Sequence, residues 1–203
     1  MLTFTKIEQA GRSMVEMLGV LAIIGVLSVG GISGYSKAMA KFKLTKAQDQ
    51  MSMLLINIRT AYATASSYAG LTTETAYQYN ILPQDMVQTS KKFVNAFGGD
   101  VVVKAQDGNV ARFQIEFKGL GRETCTSLAS SDWGTEGLYS IQVSSGSSGS
   151  SSDGGDEDVS SGGGNVHTPG GTTLTTELPI SLGQAAAECA SKDTNNSILW
   201  TYY

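Results

Sequence analysis

One carboxylate stands inside an otherwise apolar segment. Gly11 to Tyr35 reads GRSMVEMLGVLAIIGVLSVGGISGY, and Glu16 is its only acid. From Met17 through Tyr35 nothing but the tyrosine can ionise, and nineteen residues of helix are about enough to cross the roughly 30 Å hydrocarbon core of a bilayer. Asp, Lys or Arg at the centre of such a helix costs roughly 2.5–3.5 kcal/mol on insertion scales. A carboxylate at its entrance therefore asks for a cationic partner. If the chain were cut between Gly11 and Arg12, the new α-amino group would lie four residues before Glu16. A neighbouring copy could then set its own amine against this carboxylate, so that opposite charges meet in apolar surroundings.

These residues resemble the prepilin processing motif of type IV pilins and their relatives. The shared features are a short leader carrying Lys6, Gly11 before the cut, Glu16 as fifth residue of the mature chain, and a hydrophobic helix. Arg12 stands where that family usually has Phe, Met or Leu. The resemblance implies cleavage after Gly11 and N-methylation of Arg12 by a prepilin peptidase, storage in the bacterial inner membrane, and polymerisation by a pilus assembly machinery into a homo-oligomeric helical filament on the cell surface. Glu16 would set the register of that assembly. Two other readings stay open: an uncleaved membrane anchor, and a conventional secretory signal peptide cut at the small residues Ser33 to Ser36. The leader MLTFTKIEQAG carries Glu8 as well as Lys6, and the apolar run that follows it exceeds the 7–15 residues of an ordinary signal peptide.

Cys125 and Cys189 are the only cysteines. In an exported chain an even count at long separation reads most simply as one disulfide, the other reading being two buried thiols. The single histidine, His167, lies in a flexible-looking Gly/Ser tract, there is no C-x-x-C spacing, and no metal site is expected. Asp153, Asp156, Glu157 and Asp158 could supply oxygens to a calcium ion, but their spacing is not that of an EF-hand and such runs are usually solvated. No base is held beside a nucleophile and no GxxxxGK[ST] phosphate loop occurs, so neither enzyme nor cofactor is expected. A formal charge of −4 and a pI near 5.0 argue against general nucleic-acid binding.

The elements that must position these groups are legible in part. From Leu44 the apolar positions Leu44, Ala47, Met51, Leu54, Ile58, Ala61 and Ala65 alternate by three and four, with Lys46, Asp49, Asn57 and Arg59 off that stripe. The helix thus continues, amphipathic, from the apolar half to about Ala65. Gly30, Gly31 and Gly34 weaken its middle, either allowing close helix packing or marking a point that bends during assembly. Lys37, Lys41, Lys43 and Lys46 follow the apolar run. By the positive-inside tendency they argue for a cytoplasmic C-terminal side, whereas the resemblance places the head outside.

Between Ser66 and Gly99 a loop is expected, with at most one short helix near Pro83. Asn95-Ala96-Phe97-Gly98-Gly99-Asp100 followed by Val101 to Val103 looks like the lead into the sheet in pilins of the type IVb and conjugative thin-pilus group. Period-two alternation gives three half-buried strands, with Phe113, Ile115 and Phe117, then Tyr139, Ile141 and Val143, then Ile198, Trp200 and Tyr202 on their apolar faces. Arg122 to Ser131 and Leu182 to Ser191 read as short helices carrying one cysteine each. Asp132-Trp133 and the terminal Trp200-Thr201-Tyr202-Tyr203 are either exposed adhesive aromatics or, more often for such residues, core. Residues 144 to 173 hold almost nothing apolar and are expected to be a flexible surface loop.

The expected fold is therefore α+β, a long N-terminal helical spine packed on a C-terminal antiparallel sheet. Its parts are a leader 1–11, an apolar helix 12–35, its amphipathic continuation 36–65, a connecting region 66–99 and a β-sheet head 100–203. The expected function is a structural subunit of a type IV pilus serving adhesion, aggregation, motility or conjugation. The alternatives are a minor pilin, a type II secretion pseudopilin, and an unpolymerised membrane-anchored binding module.

Overall fold

The computed structural model describes residues 14–89, 92–134, 136–145, 165–169 and 176–203. The first helix, α1, runs Met14–Ala61, and the chain divides into two units between Phe42 and Lys43. In the first unit the stretch of α1 from Met17 to Tyr35 is apolar and exposed on every side. Its most apolar eighteen-residue window has a mean hydropathy of 2.2 and none of it is buried. This is long and apolar enough to cross a membrane. The helix continues without a break through Gly30, Gly31 and Gly34, where an added Cβ would meet nothing within 4 Å. Its serines are satisfied locally, Ser28 Oγ donating to the Ile24 carbonyl at 2.7 Å and Ser36 Oγ to that of Ile32 at 3.0 Å. Such bonds let a hydroxyl sit in an apolar helix without an unmet donor.

In the second unit α1 buries one stripe, Ala47, Gln50, Met51, Leu54 and Ile58. The helix stops at Ala61, short of the expected Ala65, and neither Ala61 nor Ala65 is buried. The amide of Ala63 takes the i→i+3 carbonyl of Thr60, and the Tyr62 ring packs on Tyr68 at 5.4 Å, turning the chain back. Gln50, absent from the apolar stripe, is 2 % exposed and donates to Asp85 Oδ2 at 2.8 Å, beside Lys46 Nζ at 3.2 Å from the same oxygen. One carboxylate thereby docks the 66–99 region on the helix, helped by Asn57 Nδ2 donating to the Ile81 carbonyl.

That region holds more structure than a loop. Helix α2 is Thr73–Gln78, with a capping box in which Thr72 and Thr75 satisfy each other's amides. A threonine at the position usually held by Glu or Gln hides this signature. A 3-10 turn over Gln84–Met86 follows Pro83 and leads into a small hairpin of β1 (Val87–Thr89) and β2 (Lys92–Phe93).

The remaining elements are β3 (Val101–Gln106), β4 (Asn109–Leu120), α3 (Arg122–Ala129), β5 (Leu138–Ser145), β6 (Val166–Thr168), β7 (Thr176–Glu177), α4 (Leu182–Glu188) and β8 (Asn196–Tyr202). They form a sheet in the order β3-β4-β8-β5-β6-β7, antiparallel except for the parallel pair β6 and β7. The last strand, β8, lies in the middle. Phe113, Ile115 and Phe117 of β4 and Ile198, Trp200 and Tyr202 of β8 point into one core with Met51, Leu54 and Ile58 of α1. The β5 expectation needs correction: the register against β8 shifts between Leu138 and Ser140. An extra residue in a strand reverses the faces beyond it. Leu138 joins Ile141 and Val143 in the core, and Tyr139 lies outside it, 3.4 Å below the Arg112 guanidinium. The opposite sheet face is covered too, with Val102 3 %, Glu116 1 % and Leu199 7 % exposed.

Candidate assembly site and head cross-links

Glu16 lies in the first turn of α1. Its carboxylate is exposed, among the exposed side chains Met14, Val15, Met17 and Leu18. A helix N-terminus presents unpaired amides and a partial positive charge that favours an acid there. The chemistry available is that of an acceptor set in an apolar surface, ready for an ammonium donor from outside its own helix. Gly11 and Arg12 lie outside the described residues.

The cysteines are joined, Cys125 to Cys189, with a Cα–Cα distance of 5.9 Å. Cys125 sits inside α3 and Cys189 caps α4, so the bond, between cysteines 64 positions apart in the chain, ties these two helices together. Ser181 starts α4 as a capping box with Gln184, and the Cys189 amide closes it on the Ala185 carbonyl. Both sulfurs are fully buried.

His167 departs from the flexible tract to which the sequence assigned it. It lies in β6 opposite Ile141, is 0 % exposed, and its Nε2 is 2.8 Å from Glu188 Oε2. Asn165 Nδ2 donates to the other oxygen at 2.9 Å. Glu188 ends α4 next to the cystine, so this cluster fastens β6 to the cross-linked helix. Ser144 and Ser145 likewise belong to β5; residues 146–164 and 170–173 of the tract, including Asp153, Asp156, Glu157 and Asp158, lie outside the described residues. Among the described residues no group of three or more His, Cys, Asp or Glu side chains could hold a metal ion.

The Asn95 to Asp100 lead acquires a physical reason. Asn95 Oδ1 accepts from the amides of Phe97 at 2.9 Å and Gly99 at 3.2 Å, while its Nδ2 donates to the Lys118 carbonyl at 2.9 Å. Gly98 has φ +84°, and a Cβ on Gly99 would stand 1.8 Å from the Lys118 carbonyl oxygen. The asparagine and both glycines are thus needed to bring this turn against β4. The terminal aromatics divide: Trp200 and Tyr202 are core, Trp133 is half-buried with its Nε1 donating to the Leu128 carbonyl, and Tyr203 is half exposed. Burial pushes the Tyr202 hydroxyl up to about 12, partly countered by the Arg59 guanidinium 5.6 Å from the ring centre.

The family model described as PilS N terminal matches residues 42–203, the whole head with the amphipathic part of α1 from Phe42 onward. The chain belongs to this pilin family. The major structural subunit of bundle-forming pilus from Escherichia coli O127:H6 is 25% identical over 198 residues, 96% of this chain and 94% of that one. The same subunit from Escherichia coli O111:H- matches equally. Among solved structures, TcpA, a type IV pilin from Vibrio cholerae El Tor biotype, has a TM-score of 0.50 at 17% identity, covering 79% of this chain and 99% of that one. The fold is that of type IV pilins, a long N-terminal helix followed by a largely antiparallel sheet. The expected α+β architecture holds.

Proposed function

We propose that this PilS-family chain is the structural subunit of a type IV pilus, cleaved by a prepilin peptidase after Gly11, N-methylated at Arg12, held in the inner membrane through α1, and polymerised through that helix into a filament on the cell surface. The observation that carries this reading is a fully exposed apolar helix with Glu16 in its first turn, on a head that matches a pilin family. A soluble single-chain protein would bury such a helix. A polymer buries it against copies of itself. The similarity to major subunits of the bundle-forming pilus supports a principal building block over a minor pilin or a secretion pseudopilin.

The mechanism is physical. In the bilayer Glu16 lies near the membrane surface, and in the filament it accepts a hydrogen-bonded ion pair from the Arg12 amine of an adjacent subunit. A buried charge that loses its partner costs about 3–5 kcal/mol, so a subunit offered in the wrong register is rejected. Glu16→Ala and Glu16→Val are expected to insert and be cleaved normally, with sheared filaments falling about tenfold or more. Wild-type filament yield from either variant would overturn the register role.

A further inference from the structure

Within the head, α1 has two different flanks. At roughly 100° per residue, Lys46, Gln50 and Asn57 project to one side of the buried Leu54, and Gln48, Ser52 and Leu55 to the other. The first set holds the 66–99 region, through Asp85 and the Ile81 carbonyl. The second meets the turn after α3, Gln48 Nε2 donating to Ser131 Oγ at 3.0 Å. On that second flank lies a groove of about 400 Å³. Met51, Leu55, Ile56 and Trp133 give it apolar walls, and Tyr202 and Asp132 complete its lining. The buried Tyr202 hydroxyl has no hydrogen-bond partner among the described residues, and Arg59, which lies over the Tyr202 ring, does not line the groove. Asp132 is exposed and, among the described residues, takes part in no ion pair.

The first flank carries the converse features. Tyr79 caps α2 and is 72 % exposed. Tyr77 of α2 packs on Phe93 at 5.5 Å, which sets the β1–β2 hairpin and its exposed Lys92 on the same flank. Lys92 has no ion-pair partner among the described residues. Groove and tyrosine cannot meet within one chain, because the helix stands between them.

We propose that in the filament Tyr79 of one subunit inserts into this groove of the next, with Lys92 set against Asp132. This rests on the reading of a polymerising subunit. A tyrosine brings an apolar ring with a hydroxyl tip, which suits apolar walls beside an unmet hydroxyl, and exposed tyrosines that fill a partner's pocket are among the residues that dominate contact energies. Because the two patches differ and lie on opposite flanks, each subunit offers one knob and one groove. Repetition of such a contact gives an open-ended helix instead of a closed pair. The opposite charges favour this approach over its reverse.

Both native cysteines are joined to each other, so introduced thiols report contacts between subunits. The full chain carrying Gln78→Cys beside Tyr79, together with Ser52→Cys on the groove side of α1, is produced in its native cells. Sheared filaments should run on a non-reducing gel as a ladder of dimers, trimers and higher species, each single variant should stay monomeric, and adding Tyr79→Ala should abolish the ladder. Sheared filaments of the double variant without a ladder leave the groove to another occupant and overturn the proposal, with polymerisation left standing. Dimers from Gln78→Cys alone would mean that this flank meets its own copy, which also overturns it. Absence of the unsubstituted chain from any sheared filament defeats the polymer reading and the proposal with it. Charge reversal decides the matter without cysteines: Lys92→Glu should lower the sheared yield about fivefold, and Asp132→Lys added to it should restore most of the loss. An unchanged yield from Lys92→Glu, or no restoration, overturns the proposal.

Discussion

Gly99 and Tyr202 show how far a single residue can be read. A Cβ at Gly99 has no space, because the Lys118 carbonyl lies 1.8 Å from where it would stand and backbone cannot swing aside. Gly99→Ala is expected to destabilise the head by more than about 2 kcal/mol, whereas Gly183→Ala, in α4 with nothing within 4 Å, should be neutral or gain up to about 1 kcal/mol of helix propensity. Urea unfolding of the two variants checks both, and equal midpoints would contradict this account of the turn. Tyr202 gives a pH prediction. Its folded pKa, about 12, exceeds the ordinary value of 10.0, so between these two values the folded state holds a proton that the unfolded chain has released. Stability is therefore lost as pH rises from about 10 towards 12. Among the described residues the buried Tyr202 hydroxyl has no hydrogen-bond partner, so Tyr202→Phe should keep neutral-pH stability within about 1 kcal/mol and lack this share of the alkaline decline. The measurement is the difference between the two melting curves as a function of pH; parallel curves would show that the hydroxyl titrates normally.

At the scale of elements, α1 carries a contrast within a few residues. Leu54 is fully buried under the sheet and Ile56 is 62 % exposed. Leu54→Ala should cost about 2–5 kcal/mol of unfolding free energy, and Ile56→Ala little. Reducing the cystine should remove roughly 4 kcal/mol by freeing a long loop in the unfolded chain, seen as a lower urea midpoint in reductant; an unchanged midpoint would contradict the cross-link's role. The periodicities of α1, β4 and β8 were readable because each lays one face on a single core, so burial and sequence period coincide. Three features were hidden for separate reasons. The α2 capping box uses Thr75 where Glu or Gln is the usual signal. The bulge at Tyr139 shifts the side-chain period by one, which alternation alone cannot register. His167 looked stranded in a polar tract because its partner, Glu188, is 21 residues on, in another element. Gln50 escaped notice likewise, since its burial depends on Asp85 in a region the sequence left as loop.

For the molecule as a whole, the two units pose opposite solvation problems. The head covers both sheet faces and fastens its core with a cystine. The apolar half of α1 is left uncovered, and lipid and then other copies of the chain are the surroundings that suit it. Glu16 is the one acid in that half, and under the proposed function it is the group that takes a cationic partner from a neighbouring copy. The claim that joins these parts is that the subunit leaves the membrane, cleaved, for a filament outside the cell. The direct measurement is the intact mass of this protein in material sheared from its native cells. The account predicts the mass of residues 12–203 less two protons for the Cys125–Cys189 bond, with or without one added methyl group. A sheared fraction without the protein, with the uncleaved chain retained in the membrane, would contradict it.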